Sequence, residues 1–164
     1  KILYNVPGRT SVDMLPDTVE RLSSHPNIIG IKEASGNLER SKELLDKCSD
    51  NLSIFTGDDK TSARDISMGF RGNISVTANI VPLEMHNMCK LAFAGKTDEA
   101  QKINAKIDVL HDNLFIESNP IPVKWALYKM GLIKEGIRLP LTWMDKKYES
   151  KLEKSLIDAG VKLK

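Results

Sequence analysis

The chain has 164 residues, 41% of them hydrophobic and 28% charged, and 24 basic against 22 acidic side chains leave a net charge of +2. That balance fits a soluble globular protein with a core and argues against a disordered chain. The charges are well mixed, and no basic stripe with interleaved aromatics appears, so nucleic acid is not an expected partner.

No apolar run approaches the ~20 residues of a membrane span, and no signal-peptide pattern is visible, so neither a membrane nor export is expected and the cytoplasm is. Cys48 and Cys89 lie far apart in helix-like segments. They read as reduced thiols, with a single disulfide as the alternative.

In chain order, "KILYN" (1–5) reads as a strand and "VPGRTS" as a polar turn. "LPDTVERLSS" follows as a helix, with Pro16 suited to its first turn. "NIIGIKEAS" (27–35) is a second strand. "GNLERSKELLDKCSD" is a helix whose Leu38, Leu44, Leu45 and Cys48 show helical spacing. "NLSIFTG" (51–57) is a third strand, leading into "DDKTSARDISMGF", where Asp58 or Asp59 can cap a short helix. "GNISVTAN" (72–79) is a fourth strand, and Pro82 opens a helix that Gly95 ends.

These are four βα units over residues 1–95, and parallel strands joined by crossover helices explain the spacing. Near-continuous apolar strands predict a sheet covered on both faces. From residue 96 to 164 the pattern turns helical: Thr97 can cap 98–115, "PVKWALYKM" runs to Gly131, and an amphipathic helix closes at Gly160. The expected fold class is α/β: the second half of a (βα)₈ barrel (1–95), followed by an all-helical domain (96–164). A full barrel of this kind runs to ~250 residues. The chain enters its first strand directly at Lys1, so it reads as a piece of a longer protein.

The C-terminal ends of barrel strands carry the chemistry. Reading each strand to its end collects Tyr4, Lys32, Gly57 with Asp58 and Asp59, and Ser75 to Asn79. Alternation sets Ile28, Gly30 and Lys32 on one face, with Gly30 leaving space beneath the lysine. Lys32 suits a strand-end lysine that snorkels to water or pairs with Glu33 or Asp59. It also suits a Schiff-base nucleophile. An amine that attacks a ketone must be unprotonated, which requires its pKa to fall from about 10.4 towards 7–8, about 4 kcal/mol against the charged form.

Tyr4 could relay protons for such a reaction, or be a core aromatic with a satisfied hydroxyl. Arg9, in the loop after the first strand, could hold a substrate carboxylate through two parallel hydrogen bonds, or simply be exposed. Asp58 and Asp59 lack the companions a metal site needs, and helix capping is the reading for them. His25, His86 and His111 stand at no metal-ligand or triad spacing.

Taken together, "YNVPGRT", "IGIKEASGN", "FTGDD", "GNISVTANIVP" and "NPIPVKWAL…GLI…RLPL" resemble the second half of the dihydrodipicolinate synthase family, in its order and at its spacing over essentially the whole chain. The resemblance implies a (βα)₈ barrel with a C-terminal helical domain. It also implies a lyase that condenses pyruvate, held as an imine, with aspartate semialdehyde on the route to diaminopimelate and lysine.

Carried over residue by residue, it makes Lys32 the nucleophile and Tyr4 the general acid/base. Arg9 becomes the binder of the semialdehyde carboxylate, Gly57 a backbone position lining the site, and Ile74 a carbonyl contact near the lysine and tyrosine. It implies no metal or organic cofactor and a homotetramer built as a dimer of dimers. The threonine pair that cradles pyruvate, the tyrosine that crosses a dimer interface, and most of the lysine-inhibition residues belong to the first half of the barrel. The chain by itself is therefore expected to be inactive. The competing expectations are N-acetylneuraminate lyase or a 2-keto-3-deoxy sugar-acid aldolase on the same scaffold, which would not need Arg9 as a clamp, and a non-catalytic half-barrel.

Overall fold

A computed structural model describes residues 1–164 throughout. The chain divides into two compact units. One comprises residues 1–75 and 88–101, and the other 76–87 and 102–164.

The first unit is an α/β layer. Four parallel strands, β1 (Ile2–Asn5), β2 (Gly30–Glu33), β3 (Ser53–Thr56) and β4 (Gly72–Asn73), lie in the order β1-β2-β3-β4. Helices α2 (Pro16–Ser23), α3 (Leu38–Cys48) and α4 (Ser62–Met68) make the crossovers. Pro16 stands at the start of α2, where its missing N–H is no loss. Asn37 caps α3 by accepting a hydrogen bond from the Arg40 amide (3.1 Å), and Ser41, Leu44 and Cys48 form its buried stripe.

The register is regular. Tyr4 lies opposite Lys32, and Lys32 opposite Phe55; Asn5 lies opposite Glu33, and Glu33 opposite Thr56. Each ladder runs one bond past its strands, with the amides of Ala34, Gly57 and Ile74 donating to the carbonyls of Asn5 (2.9 Å), Glu33 (2.7 Å) and Thr56 (2.9 Å). The C-terminal ends of the strands are thereby held level.

Four expectations need correction. The polar turn 6–11 contains a single helical turn, α1 (Pro7–Thr10), because Pro7 presets a helical φ and Ser11 closes the turn at φ 56° with its amide on the Pro7 carbonyl. The fourth strand is two residues long rather than eight, since the chain leaves the ladder after Ile74 and enters a 3₁₀ turn, Thr77–Asn79.

The sheet is also covered on one face only. Asn5, Ile31, Glu33, Ile54 and Thr56 are buried on the helix side. On the other side Ile2 is 46% and Tyr4 48% exposed, and Ile74, two residues beyond Gly72, is 41% exposed. The apolar run before Lys32 misled here, because Ile28 and Ile29 precede β2 and Ile29 is exposed. The space expected at Gly30 is also filled: a Cβ there would meet the Ser53 carbonyl oxygen at 2.4 Å and the Phe55 ring at 3.4 Å.

Helix α5 (Pro82–Phe93) ends before Gly95, which takes φ 74°. Its residues 82–87 belong to the second unit and 88–93 to the first, and the next helix is α6 (Thr97–Asn113). Thr97 is the first residue of α6, and its hydroxyl bonds the Ser67 hydroxyl (3.3 Å). In the second unit α7 (Ile121–Lys129) precedes Gly131, and α8 (Lys146–Asp158) is capped by Asp145 accepting from the Lys147 amide (3.0 Å). Ile107, Leu110, Leu114, Trp125, Leu152 and Leu156 are buried there. His111 is a core histidine, hydrogen-bonded to Thr77 Oγ1 (2.9 Å) and Asn104 Oδ1 (3.2 Å). No helix is long and apolar enough to cross a membrane.

Candidate active site

Parity and register bring Tyr4 and Lys32 together. Both point to the open face of the sheet, side by side on adjacent strands, and the Lys32 ammonium lies over the Tyr4 ring at 4.3 Å from its centroid. That is a cation–π contact. Lys32 takes no carboxylate partner: Glu33 points through the sheet to the helix side, and Asp59 accepts a hydrogen bond from Asn73 (2.8 Å). The alternative in which Lys32 is a salt-bridged surface lysine has no support in the geometry.

Gly57, the residue after β3, sets the path of the lysine. A Cβ at Gly57 would lie 2.5 Å from Lys32 Cε, 3.1 Å from Lys32 Cγ and 2.8 Å from the Ala34 Cβ. The aliphatic stem of Lys32 therefore runs against the bare backbone of Gly57, a reason for glycine that sequence reading missed. Ile74 stands at the same level as the next rung, its amide bonded to the Thr56 carbonyl. Arg9 lies in α1, exposed; its amide donates to the Val6 carbonyl (2.9 Å), and its guanidinium makes no hydrogen bond or ion pair.

Asp58 Oδ1 accepts from the Thr61 amide (2.9 Å) and braces the turn ahead of α4, while the N-cap residue of that helix is Thr61. No group of three His, Cys, Asp or Glu side chains is arranged to hold a metal ion. Cys48 and Cys89 carry free thiols, and burial pushes both upward in pKa, away from the reactive thiolate.

Directly behind the Tyr4–Lys32 pair, on the covered face, lies a polar cluster absent from the sequence reading. The Asn5 carboxamide donates to Glu33 Oε2 (2.9 Å) and Asp13 Oδ1 (3.0 Å), and its own oxygen accepts from the Met14 amide (2.9 Å). Glu33 Oε1 accepts from the Ser35 amide (2.7 Å). These bonds satisfy two buried side chains that would otherwise be costly so deep in the layer. Alternation alone signalled them, since the neighbours of Tyr4 and Lys32 must face the opposite way.

Comparison with known proteins gives this arrangement a context. A model of the dihydrodipicolinate synthetase family matches residues 1–159. The 4-hydroxy-tetrahydrodipicolinate synthase of Alcanivorax borkumensis is 55% identical over 161 residues, which are 98% of this chain and 55% of that protein. Among solved structures, the chloride-inhibited dihydrodipicolinate synthase of Acinetobacter baumannii complexed with pyruvate superposes with a TM-score of 0.96 at 51% identity, covering 98% of this chain and 55% of that one. The dihydrodipicolinate synthase of Aquifex aeolicus gives 0.95 at 36% identity, covering 99% and 56%. The chain thus spans little more than half the length of the relatives it matches. With the family model matched over nearly its whole length, the chain belongs to the dihydrodipicolinate synthetase family.

Proposed function

We infer that the protein of which this chain forms all or part is a Schiff-base lyase, condensing pyruvate with aspartate semialdehyde to 4-hydroxy-tetrahydrodipicolinate. The observation that carries this reading is the unpaired Lys32 ammonium 4.3 Å from the Tyr4 ring centroid on the open face at the strand ends, in a chain whose relatives are named as that synthase. The pyruvate in the Acinetobacter baumannii complex supports the first substrate.

In the proposed reaction the neutral Lys32 amine attacks the pyruvate ketone carbon, and the carbonyl oxygen leaves as water once protonated. The imine nitrogen then draws off electron density as a methyl proton is removed, and the resulting enamine carbon attacks the aldehyde, whose oxygen takes up a proton as the product hydroxyl. The semialdehyde's amine then attacks the Lys32 imine carbon, closing the ring and expelling the free lysine amine. Tyr4 carries protons to the departing oxygen and from the methyl group. Arg9 holds the semialdehyde carboxylate as a charge-assisted, two-pronged pair. Gly57 leaves room for the lysine stem, and the Ile74 carbonyl faces the reacting groups.

The finer architecture follows on the same reading. Residues 1–95 are the second half of an eight-stranded barrel, and 96–164 are its helical domain. The open face bearing Ile2, Tyr4 and Lys32 becomes the interior once the strands carried by the rest of the relatives' length close the sheet. The working enzyme is a cytoplasmic homotetramer without metal or organic cofactor, and neither nucleic acid nor membrane is a partner.

The experiment is borohydride trapping with pyruvate in a protein of the relatives' full length. Reduction converts the imine to a secondary amine that peptide mass spectrometry locates. Label on Lys32, abolished by Lys32→Arg because a guanidinium stays protonated, is the expected result. Label on Lys60 or Lys124 overturns the assignment. Cleavage of sialic acid without condensation of the semialdehyde would transfer the reading to N-acetylneuraminate lyase.

A further inference from the structure

Arg9 presents a puzzle of support. Its side chain has no partner, so its placement just past the end of β1 depends wholly on the backbone that carries it. That backbone is a closed loop. The amides of Arg9 and Thr10 donate to the Val6 carbonyl (2.9 and 3.1 Å), the Ser11 amide donates to Pro7 (2.9 Å), and the Thr10 hydroxyl donates to the Val12 carbonyl (2.9 Å). Residues 6–12 therefore move as one piece, and what fixes that piece is its base.

The base is a side-chain clamp. Asn5 enters the loop and Asp13 and Met14 leave it, and the Asn5 carboxamide ties the two ends together through Asp13 Oδ1 and the Met14 amide. Arg40, from the first turns of α3, grips the same Asp13 with both ends of its guanidinium, Nη1 to Oδ1 (2.8 Å) and Nη2 to Oδ2 (2.6 Å). Its Nη1 also donates to the Met14 carbonyl (3.1 Å). Arg40 is mostly buried, and the two-pronged geometry fixes both distance and angle. Asp13 thus has one oxygen shared between β1 and α3 and the other given wholly to α3.

We propose that Asp13 and Arg40 are positioning residues for Arg9: their ion pair, joined to Asn5, sets the height and tilt of the α1 loop and so determines selectivity for a carboxylate-bearing second substrate. This rests on the reading of Arg9 as the carboxylate clamp. The clamp lies on the helix side of the sheet, whereas Lys32 and Tyr4 lie on the open side. Its loss moves Arg9 without touching the imine-forming pair. A displacement of ~1 Å is worth on the order of 10² in rate for the step that depends on it.

The test is a double-mutant cycle in a protein of the relatives' full length, with two readouts. The variants are Asp13→Ala and Arg40→Ala, with Asp13→Asn and Arg40→Lys as milder substitutes should either fail to fold, each made with Arg9 and with Arg9→Ala. The readouts are the rate of pyruvate trapping at Lys32 and kcat/KM for aspartate semialdehyde relative to an uncharged aldehyde.

The expected result is trapping at the parental rate, with the preference for the semialdehyde falling on the order of 10- to 100-fold, mostly in KM. On the Arg9→Ala background the same substitutions should cost nothing further, because the group they position is gone. An equal loss on both backgrounds, or trapping slowed as much as condensation, reduces the clamp to general stabilisation and overturns the proposal. If Arg9→Ala itself leaves the preference intact, the carboxylate-clamp reading fails first and the proposal falls with it. If no label reaches Lys32 in the parent, the Schiff-base reading is what has failed.

Discussion

Replacing Gly57 by alanine should disable the nucleophile without removing any reactive atom. The added Cβ would sit 2.5 Å from Lys32 Cε, about 1 Å inside the ~3.5–4.0 Å at which carbon atoms pack best. It meets a second, stiffer neighbour as well, because the Ala34 Cβ lies 2.8 Å away and Ala34 is anchored by its amide to the Asn5 carbonyl. The flexible partner must yield, so Cε moves by ~1 Å and carries Nζ off the Tyr4 ring.

A shift of that size at the reacting nitrogen predicts a loss on the order of 10² in the rate of imine formation. The cost to stability is that of modest overpacking, about 1–3 kcal/mol, and less if the lysine swings fully into the open space. The assay is the time course of borohydride trapping at saturating pyruvate, read on the Lys32 peptide, beside a thermal melt of the same protein. A folded Gly57→Ala enzyme that traps pyruvate at the parental rate would refute the reasoning, and Gly57 would then be only a piece of backbone lining the site.

Tyr4→Phe keeps the ring against the Lys32 ammonium but removes the hydroxyl, so kcat should fall on the order of 10²–10⁴ while slow trapping at Lys32 survives; an unchanged kcat would exclude Tyr4 from the relay. The hydrogen bond from Asn5, helped by the Arg40 guanidinium, holds the Asp13 carboxyl below its ordinary value, against the opposing effect of burial. A depressed folded-state pKa stabilises the fold above the unfolded value near ~3.9, and that contribution is lost as the pH falls through the folded value. The stability gap between the parent and Asp13→Asn, measured by denaturant titration, should therefore be full at neutral pH and close below about pH 4; a gap constant down to pH 2 would show that Asp13 does not titrate differently in the folded state. Phe70 is fully buried in the first unit, and Phe70→Ala should cost about 3–5 kcal/mol of unfolding free energy, with a cost under about 1 kcal/mol indicating a site that collapses freely.

Much of this molecule is local and so was legible along the chain. Pro16, Gly95, Gly131 and Gly160 mark helix ends because a fixed or a positive φ is a property of one residue and its near neighbours. Lys32 stood out because an ammonium at the end of an apolar run is chemically conspicuous, and "YNVPGRT" with "KEASG" tied it to a family. Period-two alternation also set Gly30 and Lys32 on one face.

Alternation does not say which face is covered or how far a strand pairs. Those depend on what packs against it, which is why β4 shrank to two residues and the face of Ile2 and Tyr4 proved open. Nor could any local pattern announce that the Lys32 ammonium lies over the Tyr4 ring, 28 positions earlier in the sequence, since only the register of β1 on β2 sets them abreast. The same holds for the stem of Lys32 against Gly57, and for Asp13, which meets Arg40 across 27 positions. A contact between distant residues becomes favourable only after the sheet and its helices have already met the entropy cost of bringing them together. That contact is a property of the assembled layer, and only tertiary structure could decide it.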